Sequence, residues 1–146
     1  MKKKTLLLSL FISFFTSCVP SEFGYSISSA WVPNSFFFGF EAAWLMKSVS
    51  DFDYVFDGYE VDANVRKEYN SSFFRRNVLV LTIITTTRVD QDIEFRNVEI
   101  VDDEIVVSYG FDSLTGSFRN EREYQFIKIT TKTNATSAKL DWDLLQ

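Results

Sequence analysis

The chain contains no histidine and a single cysteine in 146 residues. Without histidine there is no Ser-His-Asp or Cys-His pair to activate a nucleophile, and the usual zinc and copper ligand sets cannot be assembled. GxGxxG, the P-loop and the GxSxG nucleophile elbow are also missing, and the serines fall in turns and helix caps with no motif around them. These absences argue against an enzyme and leave no catalytic residue, metal ligand or cofactor to assign. Basic residues are outnumbered, 15 Lys and Arg against 20 Asp and Glu. An acidic domain repels phosphate backbones and anionic lipid surfaces, and no basic stripe of the kind nucleic-acid binding needs is visible. What the chain does have is apolar material: 46% of residues, with 16 Phe, enough for one packed interior in one domain. Intrinsic disorder is not expected of such a composition.

The lone cysteine has an informative setting. Lys2, Lys3 and Lys4 form a positive head, and Thr5 to Thr16 (TLLLSLFISFFT) form an uncharged apolar run of twelve residues. That is the layout of a bacterial export signal, and it is too short for a membrane span, which needs about 20 apolar residues. Phe15, Thr16, Ser17 and Cys18 then resemble the lipobox of bacterial lipoproteins, in which small residues precede a cysteine that is acylated before cleavage. Thr16 and Ser17 fit that pattern, and Phe15 stands where Leu is usual. Exported proteins mostly hold their cysteines in pairs, so a single Cys behind an apolar run reads as a lipid attachment point. Several acyl chains supply the two or more signals that stable anchoring requires. The expected organisation is a signal peptide over residues 1–17, a tether over 18–24 and one domain over 25–146. Cleavage before Cys18 removes three lysines and no acid, leaving 12 basic and 20 acidic groups, a net charge of −8.

Within the domain, Tyr25 and Ile27 alternate, and the phenylalanines between residues 36 and 40 suggest short strands or a wrap over the core. Ser50 followed by Asp51, Phe52, Asp53, Val55 and Phe56 predicts a short capped helix ending at Asp57-Gly58. A second helical turn is expected over Ser71–Arg76, capped by Asn70 or Ser71, with Phe73 and Phe74 turned inward. Asn77 to Val89 (NVLVLTIITTTRV) is β-branched and free of Gly and Pro, and its unbroken apolar stretch predicts a central strand buried on both faces. Ile93 and Phe95 fall out of step with Val98 and Ile100, which calls for a bulge near Arg96-Asn97. Asp102-Asp103 form a tight turn into Ile105, Val107, Tyr109 and Phe111 at strict period two. Residues 112–122 read as a loop, 123–131 as a strand, and Leu140, Trp142 and Leu144 as a segment that packs back or adds an edge strand. The fold class is mainly β, a small antiparallel sandwich or barrel with one or two short helices.

Two groups of side chains invite a binding role. Trp31, Phe36, Phe37, Phe38 and Trp44 can stack on sugar rings if they form an exposed platform, although such residues are more often core. Asp51, Asp53, Asp57, Glu60 and Asp62 are hard oxygen ligands, but their spacing does not fit an EF-hand loop, and capping with solvation accounts for them more simply.

Ser48-Val49-Ser50 before a short helix, Tyr69-Asn70-Ser71-Ser72-Phe73-Phe74 leading into Asn77-Val78-Leu79-Val80-Leu81, then Ile93 to Ile100, Ile105-Val106-Val107 and Tyr124 to Ile129, resemble the PrcB-like, protease-complex-subunit type of small exported β-domain. The resemblance runs from about Lys47 to Lys132. It implies a noncatalytic β-rich module that assists or assembles an exported protease at the bacterial cell envelope, with no catalytic residues to carry over. The alternative class is a small hydrolase inhibitor, presenting Phe118 and Arg119 on the loop after Asp112, or a glycan-binding lipoprotein using Trp31, Phe37 and Trp44.

Overall fold

The apolar run from Val78 to Ile84 is the spine of the molecule. The structure, a computed structural model, describes residues 24–33, 36, 42–88, 93–111 and 118–144. In chain order these form β1 (Tyr25–Ser29), β2 (Ala42–Met46), α1 (Val49–Val55), α2 (Ala63–Glu68), α3 (Ser71–Phe74), β3 (Val78–Arg88), β4 (Ile93–Val101), β5 (Glu104–Phe111), β6 (Phe118–Ile129) and β7 (Ser137–Leu144). One sheet has the order β1-β6-β3-β2, the other β4-β5-β7.

Because side chains alternate along a strand, β3 serves two cores at once. Leu79, Leu81 and Ile83 point to a cluster with Phe52, Phe56, Tyr69, Phe74 and Phe126, under the helices. Val78, Val80 and Ile84 point to a second cluster with Val98, Ile105, Val107, Ile127 and Ile129, between the two sheets. The result is a β-sandwich with a layer of short helices over the outer face of the larger sheet. Each fully buried Val, Leu or Ile contributes about 1.5–3 kcal/mol relative to exposure, and the one polar residue of the run, Thr82, is buried with its hydroxyl hydrogen-bonded to Tyr109.

The helices are fixed by caps more than by length. Ser48, two residues before the expected cap, accepts from Asp51 N at 3.1 Å, while the Asp51 carboxylate accepts from Lys47 N at 2.8 Å, a reciprocal closure of the first turn. Gly58, at φ +80, carries the chain out of α1's last turn. Asp62 caps α2 by accepting from Asn64 N at 2.8 Å, and Asn70 caps α3 by accepting from Ser72 N at 2.8 Å. The structure therefore has three short helical pieces where one or two were expected.

The smaller sheet contains two features of register. The pairing of β4 with β5 shifts between Phe95 and Asn97, so Phe95 and Val98 both face the inter-sheet core, as the parity break required. β7 runs parallel to β5, not antiparallel, with Glu104 opposite Ser137 and Val107 opposite Leu140. The sandwich is therefore mixed rather than wholly antiparallel: the segment after β6 crosses to the other sheet before β7 begins. Glu104 fixes the start of β7, accepting from Ser137 Oγ at 3.1 Å and pairing with Lys139 at 2.8 Å. Those contacts, the Lys139 hydrogen bond first, hold the Glu104 carboxyl below its usual range.

At the β4–β5 turn both central residues are in the left-handed region, Asp102 at φ 49 and Asp103 at φ 63. This is the two-residue hairpin geometry that Asn-Gly satisfies with least strain. Asp102→Asn with Asp103→Gly is expected to raise stability by about 0.5–1 kcal/mol, read as a higher thermal midpoint. An unchanged or lower midpoint would mean that the aspartates stabilise the turn by contacts that outweigh the strain.

Candidate binding surface

The register of the larger sheet brings distant residues into one row. Tyr25 lies opposite Ile129, Ile129 opposite Val78, and Leu79 opposite Met46. One step further out, Gly24, Thr130, Asn77 and Lys47 end the four strands at the same edge. With strands about 4.8 Å apart, this end is roughly 15 Å wide. Lys47, Arg75, Arg76 and Lys132 cluster on it. Lys47 Nζ donates to Ala135 O at 2.9 Å, and Arg75 donates to Ser72 Oγ at 2.8 Å. A shallow cavity of about 530 Å³ is lined by Lys47, Ser48, Ser71, Phe74, Arg75 and Lys132. A neighbouring one is lined by Ser72, Arg75 and Arg76. Among the described residues none of these four cations is ion-paired, in contrast to Arg66 with Asp53 and Lys139 with Glu104.

The opposite sheet closes this end with the β4–β5 turn, where Thr136 N donates to Asp103 O at 2.8 Å. A groove of about 550 Å³ between the turn and the segment before β7 is lined by Glu99, Asp103, Thr131, Lys132, Thr133 and Asn134. Charge at this end is thus divided, basic on the larger sheet and acidic on the smaller. The start of β1 is held firmly: Gly24 O accepts from Thr130 N at 2.9 Å and from Thr130 Oγ1 at 3.1 Å. A Cβ on Gly24 would lie 2.4 Å from Thr130 Oγ1, so this approach is fitted to glycine.

The flank where β1 and β4 lie side by side is the second candidate. Both strands are sheet edges, and Tyr25 meets Phe95 edge-to-face at 5.7 Å across the gap. Ile27 is 36% exposed, and at the end of β4 next to the Asp102-Asp103 turn Ile100 and Val101 are 43% and 42% exposed. Edge strands with apolar side chains are where extended peptides add to a sheet.

Set beside known proteins, the chain matches no family model, no curated protein and no solved structure. The site therefore has to be read from its own chemistry. Trp31 and Trp44 are half-buried and belong to the helix-side core, Trp31 at 6.4 Å from the Phe56 ring, and Phe36 is buried against Phe56 and Tyr59. Phe37, Phe38 and Cys18 lie outside the described residues. Phe118 and Arg119 are not on a loop: β6 begins at Phe118, which pairs with Arg88 beyond a register shift. The strand reaches back that far because β3 continues to Arg88 and offers a partner for it. Of the acidic group, Asp51 accepts from the Lys47 amide ahead of α1, Asp62 accepts from the first amides of α2, and Asp53 pairs with Arg66, whose guanidinium also lies 5.7 Å over the Phe52 ring. Among the described residues, no three acids are grouped to hold a metal.

Among the described residues the inter-sheet core holds one polar chain. Thr82 Oγ1 and Tyr109 OH are 3.0 Å apart, Tyr109 OH donates to Gln125 Oε1 at 2.8 Å, and Gln125 Nε2 donates to Glu123 Oε1 at 2.7 Å. Since the Tyr109 proton goes to Gln125, the Thr82 hydroxyl is the donor to Tyr109. Every donor then points outward, toward the exposed carboxylate. Burial is the main cause that pushes the Tyr109 phenol up to about 12, so it stays protonated at neutral pH and acts as a structural link.

Sequence reasoning missed the basic end because Lys47, Arg75, Arg76 and Lys132 are scattered along the chain. The available signal was positional: each sits where a core strand of the larger sheet begins or ends.

Proposed function

We propose that the protein is an exported lipoprotein whose β-sandwich is a noncatalytic binding or assembly module, held at the bacterial cell envelope by acyl chains on Cys18. The observation that carries this reading is the position of Cys18, behind Lys2–Lys4 and an uncharged apolar run and six residues ahead of Gly24. The larger sheet holds the chain at Gly24, where Thr130 donates twice to the Gly24 carbonyl, with five residues between Gly24 and Cys18. The lack of histidine and the protonated, fully engaged Tyr109 support binding over catalysis. Its partner on this reading is an exported protease, the role that the PrcB-like resemblance implies, and the β1–β4 flank is the surface suited to it.

Labelled palmitate supplied to cells making the full chain is expected to enter the wild-type protein and not Cys18→Ser, which should also leave the membrane fraction. Equal labelling of both would overturn the anchor. Cross-linking in the native cells followed by recovery of the tagged protein is expected to bring down an exported protease. Loss of that recovery in Ile27→Lys would place the contact on the flank, and recovery of envelope glycan alone would remove the protease.

A further inference from the structure

We infer that the basic end of the larger sheet docks on the anionic phospholipid headgroups of the anchoring membrane, so that the tethered domain stands with Lys47, Arg75, Arg76 and Lys132 facing the bilayer. The inference rests on the reading of Cys18 as the lipid attachment point. Its geometry comes from the hold of Thr130 on Gly24 at the start of β1. Five residues separate Gly24 from Cys18, and at full extension the six steps span at most roughly 20 Å. Gly24 is pinned to Thr130, and Thr130 leads within two residues to Lys132. Two strands across, Asn77 follows Arg75 and Arg76, and one further strand across lies Lys47. The shortest path from the lipid to the domain therefore ends among the four cations.

The tether brings this end close and leaves the tilt open, and the charge distribution selects the tilt. Laying the helical layer on an anionic surface would bring down five exposed acids, Asp53, Asp57, Glu60, Asp62 and Glu68, against two exposed bases, Arg66, which is already paired with Asp53, and Lys67. Standing on the end of the larger sheet presents the unpaired cations instead. On the same end, Asp102, Asp103 and Glu99 of the smaller sheet are repelled, which tips that sheet away from the surface. Screening confines these forces to about 8–10 Å at physiological salt, a distance that a freely diffusing acidic domain would seldom reach and that a short tether keeps populated. The acyl chains supply the affinity, and the basic end supplies the orientation. The whole-chain acidity hides this, because it averages an end that is basic with a body that is not.

The test uses the full acylated chain in vesicles. Cys18 is the sole native cysteine and is blocked by acylation, so an introduced thiol is the one available to a fluorophore. Ser72→Cys reports on the basic end, beside Arg75 and Arg76. Glu94→Cys reports on the far end of β4, seven residues from Val101 and roughly 23 Å away. Nitroxide-headgroup lipid is the quencher. In vesicles of phosphatidylcholine with phosphatidylglycerol, the Ser72→Cys label is expected to be quenched several-fold more than the Glu94→Cys label. That contrast should collapse in phosphatidylcholine alone, in molar salt, and in the Arg75→Glu/Arg76→Glu variant, whose exposed positions leave the fold intact by circular dichroism. Equal quenching of the two labels, or a contrast that persists without anionic lipid, would overturn the docking. Flotation with phosphatidylcholine vesicles separates the two ideas. A chain that does not float has no anchor, and both readings fall; a chain that floats but shows equal quenching keeps its anchor and loses the docked end.

Discussion

Phe52→Ala is expected to destabilise the domain by about 3–5 kcal/mol, measured by urea unfolding at neutral pH. Phe52 is fully buried on the inner face of α1, with its ring centroid 4.8 Å from Phe56 and 5.7 Å from Tyr69, and it is covered on the outside by the Arg66 guanidinium. Truncation removes the contact that joins α1 to the end of α2 and opens a cavity whose floor is the rigid row Leu79, Leu81 and Ile83 of β3. A sheet with buried side chains on both faces cannot close over such a void without disturbing the opposite core, so the cost lies well above simple transfer. Tyr54, two residues along, is the internal control. It is 83% exposed, and Tyr54→Ala is expected to change stability by no more than about 0.5 kcal/mol. Comparable small effects at both positions would show that the helices are loosely attached and that the cooperative unit is the sandwich alone.

The contrast between Phe52 and Tyr54 is legible in the amino-acid sequence, because the i, i+3, i+4 spacing of Phe52, Val55 and Phe56 already separates inside from outside. The same holds for β3, whose unbroken apolar run has one economical explanation, and for the bulge at Phe95–Asn97, forced by a change of parity. Features that depend on what the rest of the chain provides are less legible. α2 has one buried-side residue of note, Val65, packed partly against the core, so no apolar period announces it; its signal is the cap Asp62, which reads equally well as one acid among several. The cap of α1 is Ser48 rather than Ser50, since Ser48 with Asp51 and Ser50 with Asp53 both offer a serine followed three residues on by an acid, and the bonds of Asp51 N to Ser48 Oγ and of Lys47 N to Asp51 decide it. The parallel direction of β7 follows from a crossover between sheets that local pattern does not encode. The early start of β6 depends on the length of its partner β3.

The surface chemistry is the least legible part, for a related reason. Charge read along the sequence is an average, whereas Lys47, Arg75, Arg76 and Lys132 become one patch only after β2, β3 and β6 are set in register. Conversely, Trp31 and Trp44 look available in sequence and are half-buried once the helices settle on the sheet. Strand ends collect whatever the loops bring to them, so a site made at a sheet end becomes visible together with the fold. The domain's two open features, the basic end and the β1–β4 flank, both adjoin β1, the strand that continues toward Cys18. On the proposed reading, anchor, membrane contact and partner contact are organised around a single five-residue edge strand.

Tyr109→Phe carries the second large effect and shows it in a pH window where few proteins are compared. At neutral pH the substitution is expected to cost about 1–3 kcal/mol, because Gln125 Oε1 loses its donor and the fully buried Thr82 hydroxyl is left with only the Gln125 carbonyl at 3.5 Å. Adding Thr82→Val should recover part of that cost, since both partners of one hydrogen bond are then removed together; the two changes are expected to be non-additive by at least about 0.5 kcal/mol. The alkaline behaviour follows from burial. The phenol is raised from 10.0 to about 12 in the folded state, chiefly by desolvation, so the unfolded chain gives up its proton first. The stabilisation is complete below pH 10 and is lost as pH climbs from there through about 12. Each unit of that difference corresponds to about 1.4 kcal/mol, so Tyr109 alone makes the wild-type curve fall by about 3 kcal/mol across the window. Tyr69 adds to the same slope, its phenol raised by burial first and then by the neighbouring Glu68 carboxylate. Tyr109→Phe should therefore start lower at neutral pH and decline less steeply above pH 10, so that the two curves converge. Parallel curves for wild type and variant between pH 10 and 12 would mean that the phenol is hydrated in the folded protein and that the polar chain from Thr82 to Glu123 is open to water along its length.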